Sequence, residues 1–257
     1  MKKSALVGVV VVLGAVWTGT AWFTGQKAED FVNQSIATAN DSLKTFSDKW
    51  GIASKVELVS FERGVFSSTA RYRVKFTAPA TEGKPAEERD VLFVEQLSHG
   101  PLPLSNLKTG AFMPAMVASD FALEETPAVK EWFAAAKGVT PLTGHYSVSY
   151  AKNITGKFNL APVEVAKGDT NLSFSGMTGN VEYATGTKHG VVDLKTDKLV
   201  MSGQSENSDI VSMALQGITL ESDMTPASND MYVGTQKLTF KDWTITVSYT
   251  HLRAHET

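Results

Sequence analysis

Histidine is the side chain best able to move a proton or hold a metal near neutral pH. The chain carries His99, His145 and His189 more than forty residues apart, none in an H-E-x-x-H or comparable ligand pair. Two more, His251 and His255, fall in the last ten residues. Cysteine is absent, which removes thiolate nucleophiles, thiolate ligands and disulfides together. No G-x-S-x-G elbow or G-x-x-x-x-G-K-[ST] phosphate loop occurs. The adjacent carboxylates Glu87-Glu88 and Glu124-Glu125 lie in polar stretches, where water solvates such pairs, and sequence alone does not place two carboxylates in one pocket. His99 could serve as a ligand or base, against the plainer role of a turn hydrogen bond. The expectation is a non-enzymatic protein with no catalytic, cofactor-binding or metal-binding residue.

A second chemical candidate is a strip of cations. Ala70, Tyr72, Val74 and Phe76 alternate with Arg71, Arg73, Lys75 and Thr77, the cleanest period of two in the chain. Such a strand has one apolar and one basic face. The basic face either binds an anion or is a solvated face guarding an edge. The net charge is −3 with 20% charged residues, so no nucleic-acid footprint exists.

The elements that must position these residues begin with Ser4 to Gln26, twenty-three residues without a charge, preceded by Lys2 and Lys3. As a helix this run spans roughly 35 Å and can cross a bilayer core of about 30 Å. Its basic flank places residues 1–3 in the cytoplasm and the chain after 26 outside. The rival is a cleaved signal peptide ending at Gly19-Thr20-Ala21, although bulky Trp22 follows that site. Residues 27–50 then read as an amphipathic helix with Val32, Ile36, Ala39, Leu43 and Phe46 on one face. That seam packs either on a second copy or on the protein's own sheet. Residues 51–247 read as a β-rich domain. Val56–Phe61 is a short strand, with a tight turn at Glu62-Arg63-Gly64 where glycine is free to take positive φ. Thr77–Asp90 is a polar loop and Val91–Leu97 a strand. A short helix starts at Thr126-Pro127 and closes at Gly138, packing through Val129, Trp132, Phe133 and Ala136. From Gly144 a β-meander follows, with Lys195-Thr196-Asp197-Lys198 as a hairpin turn and a bulge at Gly217. The fold class is mainly β (α+β): an N-terminal transmembrane helix, then an extended antiparallel β-sheet domain with a few helices. Residues 248–257 resemble a translated adapter read-through and read as a non-native tail on a chain cut short.

Phe61-Glu62-Arg63-Gly64-Val65-Phe66-Ser67-Ser68 resembles the (Y/F)-x-R-G-x-F-S-S segment of the YdgA/YihF family of bacterial envelope proteins. His99-Gly100-Pro101-Leu102-Pro103-Leu104 is similar to that family's H-G-P-x-P-L loop. Ala136–Pro141 and Val233–Leu238 also fit, while Thr77–Asp90 and Ala118–Thr126 match poorly. The resemblance implies an inner-membrane-anchored periplasmic protein, self-associating, with no established activity and no catalytic residue to carry over. Its motif residues are Phe61, Arg63, Gly64, Phe66, Ser67, Ser68, His99, Gly100, Pro101 and Pro103, with a structural role expected. The expected partners are the inner membrane through residues 4–26, a second copy of the chain, and a lipid or envelope protein. The first functional expectation is a scaffold or partner-binding module. The alternative is a carrier or chaperone that shields an apolar ligand, lipid or unfolded envelope protein, on its sheet.

Overall fold

Alternation in the sequence becomes strand pairing over most of the chain. The computed structural model describes residues 27, 29–30, 32–41, 43–44, 47, 53–78, 87–108, 114–204, 210–227 and 231–248. Among the described residues thirteen strands occur: β1 (Ala53–Arg63), β2 (Ser67–Ala78), β3 (Glu87–His99), β4 (Val117–Glu124), β5 (Leu142–Val148), β6 (Ile154–Leu160), β7 (Val163–Lys167), β8 (Thr170–Phe174), β9 (Met177–Ala184), β10 (His189–Gln204), β11 (Ile210–Pro226), β12 (Tyr232–Thr239) and β13 (Asp242–Ser248). Helical segments are α1 (residues 32–41), α2 (Leu104–Lys108) and α3 (Lys130–Ala135). The described registers are all antiparallel, as expected. Residues 1–3 and the proposed anchor at 4–26 lie outside the described residues. Among those described, no helix is long and apolar enough to cross a membrane.

The chain divides into two compact units. The first takes in the described residues of Met1–Lys130, with Thr143–Gly156 and Ala184–Gly186. In it β1 to β5 lie side by side in sequence order. Directly paired residues share a face, so Ala70, Leu97, Val117 and Val148 form one apolar surface, and Val32 of α1 joins them in a core with Ile36 packed alongside. Each buried valine or leucine among them is worth roughly 1.5–3 kcal/mol against exposure. The amphipathic seam thus packs on the protein's own sheet; Phe46 lies outside the described residues. Asn40 fixes the helix in place. Its Nδ2 donates to the Val56 carbonyl at 2.9 Å, and its Oδ1 accepts the Val56 N–H at 2.7 Å.

Three strand-level expectations change in this unit. Glu62 and Arg63 belong to β1, paired with Thr69 and Ser68, so the turn falls at Gly64-Val65-Phe66 instead. Strand β3 starts at Glu87, so Glu87–Asp90 pairs with Lys75–Ala78 instead of belonging to a loop. Gly64 does not adopt positive φ. It is needed for close approach: a Cβ there would sit 2.7 Å from the Ser67 carbonyl oxygen, which accepts the Gly64 N–H.

The second unit comprises Glu131–Leu142, Lys157–Tyr183 and the described part of Thr187–Thr257. Strand β8 pairs with both β7 and β10, β10 pairs with β11, and β11 carries β12 and then β13 along its other side. Lys195–Lys198 is no hairpin turn. Strand β10 runs through it, with Thr196 opposite Ile218 and Lys198 opposite Gln216. The segment has no glycine or asparagine to make a tight turn, and its polar side chains mark a switch in the apolar alternation, not a reversal of the chain. Gly217 is irregular as expected, at φ +57, but inserts no extra residue, because pairing resumes in the same register beyond it. The Thr126 hydroxyl caps nothing and has no partner among the described residues; its carbonyl accepts the Val129 N–H. Helix α3 closes as read, with the Gly138 N–H on the Phe133 carbonyl, and Val129, Phe133 and Ala136 are buried. Ser248 ends β13 opposite Ile210 and so belongs to the sheet; residues 249–257 lie outside the described residues.

Candidate functional site

The two motif segments meet. Ser67 pairs with Ser98 and Ser68 with Leu97, which brings the end of β3 beside the start of β2. Ser68 Oγ and His99 Nε2 hydrogen-bond at 3.1 Å in the interior, and the His99 N–H donates to the Phe66 carbonyl at 3.0 Å. Pro103 is fully buried, and its carbonyl accepts the Leu107 N–H at the start of α2. Phe61 packs against the core. Arg63 and Ser67 are exposed, and so is Phe66. Gly100 has φ +124 and leads out of β3 towards Pro101. This is a corner that ties two loops together and encloses His99 and Ser68.

The basic strip is compensated internally. Arg71 Nε lies 3.3 Å from Glu124, Arg73 Nε 3.1 Å from Asp90, and Lys75 Nζ 3.1 Å from Glu57. Lys55 and Lys75 hold the Glu57 carboxyl below its usual range. Each cation of the strip lies beside an acid, Asp90 and Glu57 on the strands flanking β2 and Glu124 one strand further on, which favours a solvated, ion-paired face over an anion site.

His145 and His189 join polar contacts that the sequence left open. His145 Nδ1 is 2.8 Å from Asp120 Oδ1 and Nε2 is 3.1 Å from Asn106 Oδ1, while Asn106 Nδ2 donates to Ser147 Oγ at 3.1 Å. This Asp-His-Asn-Ser chain fastens α2 to β4 and β5. His189 Nε2 meets Asp223 Oδ1 at 2.7 Å on the surface. Among the described residues no group of three histidine, aspartate or glutamate side chains could hold a metal ion.

Sequence reasoning passed over Glu95. In Val91-Leu92-Phe93-Val94-Glu95-Gln96-Leu97, the inward positions are Val91, Phe93, Glu95 and Leu97, so a carboxylate stands where alternation calls for an apolar residue. That parity was the available signal. Glu95 is 4% exposed. Oε2 accepts the Tyr72 hydroxyl, and Oε1 accepts those of Tyr146 and Ser119, the last at 2.6 Å. Burial first, and the Glu95 charge second, raise the pKa of the Tyr72 and Tyr146 hydroxyls well above the ordinary tyrosine value, so both hold their protons more tightly. Above this cluster, between α1 and the sheet, lies a cavity of about 290 Å³.

The second unit offers a different surface. Direct pairing aligns Val163, Phe174, Leu199, Leu215 and Trp243 in one row, and Val165, Leu172, Met201, Met213 and Ile245 in the next. Trp132 of α3 covers the β7–β8 end, enclosing about 260 Å³ with Val163, Leu172, Phe174 and Leu199. The far end is bare: Trp243 is 62% exposed, Ile245 57% and Val247 43%. Among the described residues no strand pairs with the outer edge of β12 and β13.

The described residues define a β-rich protein dominated by antiparallel strands with few helices. Comparison of the sequence places it more narrowly. Residues 1–250 match the family described as "Bacterial protein of unknown function (DUF945)", and the chain belongs to that family. It is 30% identical over 261 residues to "Protein YdgA" of Escherichia coli (strain K12), covering 96% of this chain and 49% of that protein. It is 28% identical to "Uncharacterized protein YihF" of the same organism, covering 68% of this chain and 37% of that one. An "Uncharacterized protein" of Haemophilus influenzae is also 28% identical, over 75% of this chain and 52% of its own length. The chain thus spans about half the length, or less, of these curated relatives. No solved structure matches.

Proposed function

We propose that the chain is the outward-facing part of a single-pass inner-membrane protein of the bacterial envelope, without catalytic function, which works by binding another protein on its sheet. The first partner is a second copy. The carrying observation is the coincidence, in β13, of exposed apolar side chains with an outer strand edge that lacks a partner among the described residues. Edges of this kind template strand addition. An antiparallel self-pairing centred on Ile245 sets Trp243 against Val247 and Thr244 against Thr246. Residues 243–248 contain no charge to oppose it. Membrane attachment rests on the uncharged stretch 4–26 with Lys2 and Lys3 before it.

Native mass spectrometry of the protein extracted in mild detergent tests this reading, with wild type compared against Ile245→Lys. The substitution brings two ammonium groups face to face across the pairing. A wild-type dimer that the variant dissolves is the expected outcome. A wild-type monomer, or a dimer indifferent to the substitution, refutes self-association through this edge. A variant that instead lowers the stability of a monomer means the protein's own chain covers the face.

A further inference from the structure

We propose that the cavity beneath α1 is a binding site for an organic ammonium ion with apolar substituents, its charged nitrogen seated over Glu95. This goes beyond strand-mediated association and uses residues of the first unit only.

Three observations converge on that chemistry. The first is the state of the carboxylate. A carboxylate offers about four acceptor positions; Tyr146 and Ser119 fill those of Oε1, and Tyr72 fills one of Oε2. One position on Oε2 remains. Among the described residues no cation pairs with Glu95, although buried carboxylates are ordinarily paired. The three hydroxyls donate to the carboxylate but carry no formal charge to balance it. The second observation is that Glu95 lines the cavity directly, so a ligand there meets this charge without crossing an apolar layer.

The third is the identity of the walls. Tyr72, Phe93, Phe121 and Tyr146 line the same space. Aromatic faces attract a cation through the ring quadrupole. An anion would be repelled by Glu95. A neutral hydrocarbon would fill the space but gain nothing from the carboxylate. A hydrated metal ion would find apolar walls and a single carboxylate, too few oxygen ligands for calcium or magnesium. An ammonium ion with apolar groups around its nitrogen gains from both features. A cavity of about 290 Å³ sits at the small end of the usual range for ligand pockets, which favours a compact ion over a long-chain lipid.

The test uses the full chain in a neutral detergent and two probes of the same shape. Benzyltrimethylammonium carries the charge; neopentylbenzene places carbon where the nitrogen stands. Ligand-observed NMR titration reports both affinities. The expected result is that wild type prefers the cation by roughly tenfold or more, and that Glu95→Gln reduces cation affinity to that of the hydrocarbon while leaving hydrocarbon binding unchanged. Equal affinity for both probes in wild type overturns the proposal, as does the absence of binding by a folded wild type. Where Glu95→Gln does not fold, Ala39→Phe carries the test by filling the space from α1 without touching the carboxylate. Loss of cation binding then supports the site, and retention overturns it. Neither result depends on oligomeric state, so failure here leaves the association at β13 untouched.

Discussion

Replacing Glu95 by leucine separates two accounts of the buried cluster. If the carboxylate only fills space, leucine does so as well and removes the desolvation cost of a charge. If it organises the hydroxyls, leucine orphans them. Ser119 is fully enclosed, so its O–H group has no water to turn to; Tyr72 and Tyr146 line the cavity and are only partly enclosed. One enclosed orphan costs about 1–3 kcal/mol and each partly enclosed one less, and relief of carboxylate desolvation offsets part of that, leaving a net loss of about 1–3 kcal/mol. The converse change, Tyr72→Phe with Ser119→Ala and Tyr146→Phe, strips the carboxylate of every hydroxyl and should cost about 3–5 kcal/mol, as for other buried charges left alone. Combining all four substitutions removes both sides together and should return stability to within about 1–2 kcal/mol of wild type. Urea denaturation followed by circular dichroism gives the four free energies of the cycle. The reasoning fails if Glu95→Leu alone lies within about 0.5 kcal/mol of wild type, or if the four-fold variant is no more stable than either parent.

Alkaline stability should report the same cluster. The folded state holds the Tyr72 and Tyr146 protons to higher pH than the unfolded chain does. Stability is therefore full below about pH 10, where the unfolded tyrosines titrate, and falls as pH rises above it. Tyr72→Phe with Tyr146→Phe should flatten that slope in denaturation measured from pH 9 to 11, and an unchanged slope would place the titration elsewhere. Gly64→Ala should lower stability by about 1–3 kcal/mol, because its Cβ meets the Ser67 carbonyl oxygen at 2.7 Å; thermal unfolding at an unshifted midpoint would show that the turn relaxes freely. Asn40→Ala should cost about 0.5–2 kcal/mol and speed hydrogen exchange at the Val56 amide, while unaltered protection there would mean that α1 is not held by this side chain.

The sequence carried the architecture better than the site, for reasons visible in single residues. Ala70 to Phe76 alternates without interruption, so β2 and its apolar face were legible. Val32, Ile36 and Ala39 recur at helical spacing, which fits packing on a second copy as well as on the protein's own sheet, and only the sheet's apolar surface decides between them. The charged run Lys195–Lys198 looked like a turn because it separates two apolar segments, whereas its partners across the ladder, Gln216 and Ile218, keep it extended. Glu95 was hidden by its hydroxyl partners. Tyr72, Ser119 and Tyr146 come from three other strands, and no local pattern announces them. The proximity of Ser68 to His99 likewise depends on the register of β2 with β3, although both motif segments were recognisable separately.

Asn40 bears on stoichiometry. Its amide supplies the Val56 carbonyl with a donor and the Val56 N–H with an acceptor, as a neighbouring strand would, while Lys55 and Glu57 flank the position with charge. A strand arriving at β1 would have to displace the helix before it could form its first ladder bonds. A protomer with two receptive margins can add copies head to tail without end. Under the proposed pairing through β13, the β1 margin, already met by the protein's own asparagine, offers no second site for strand addition.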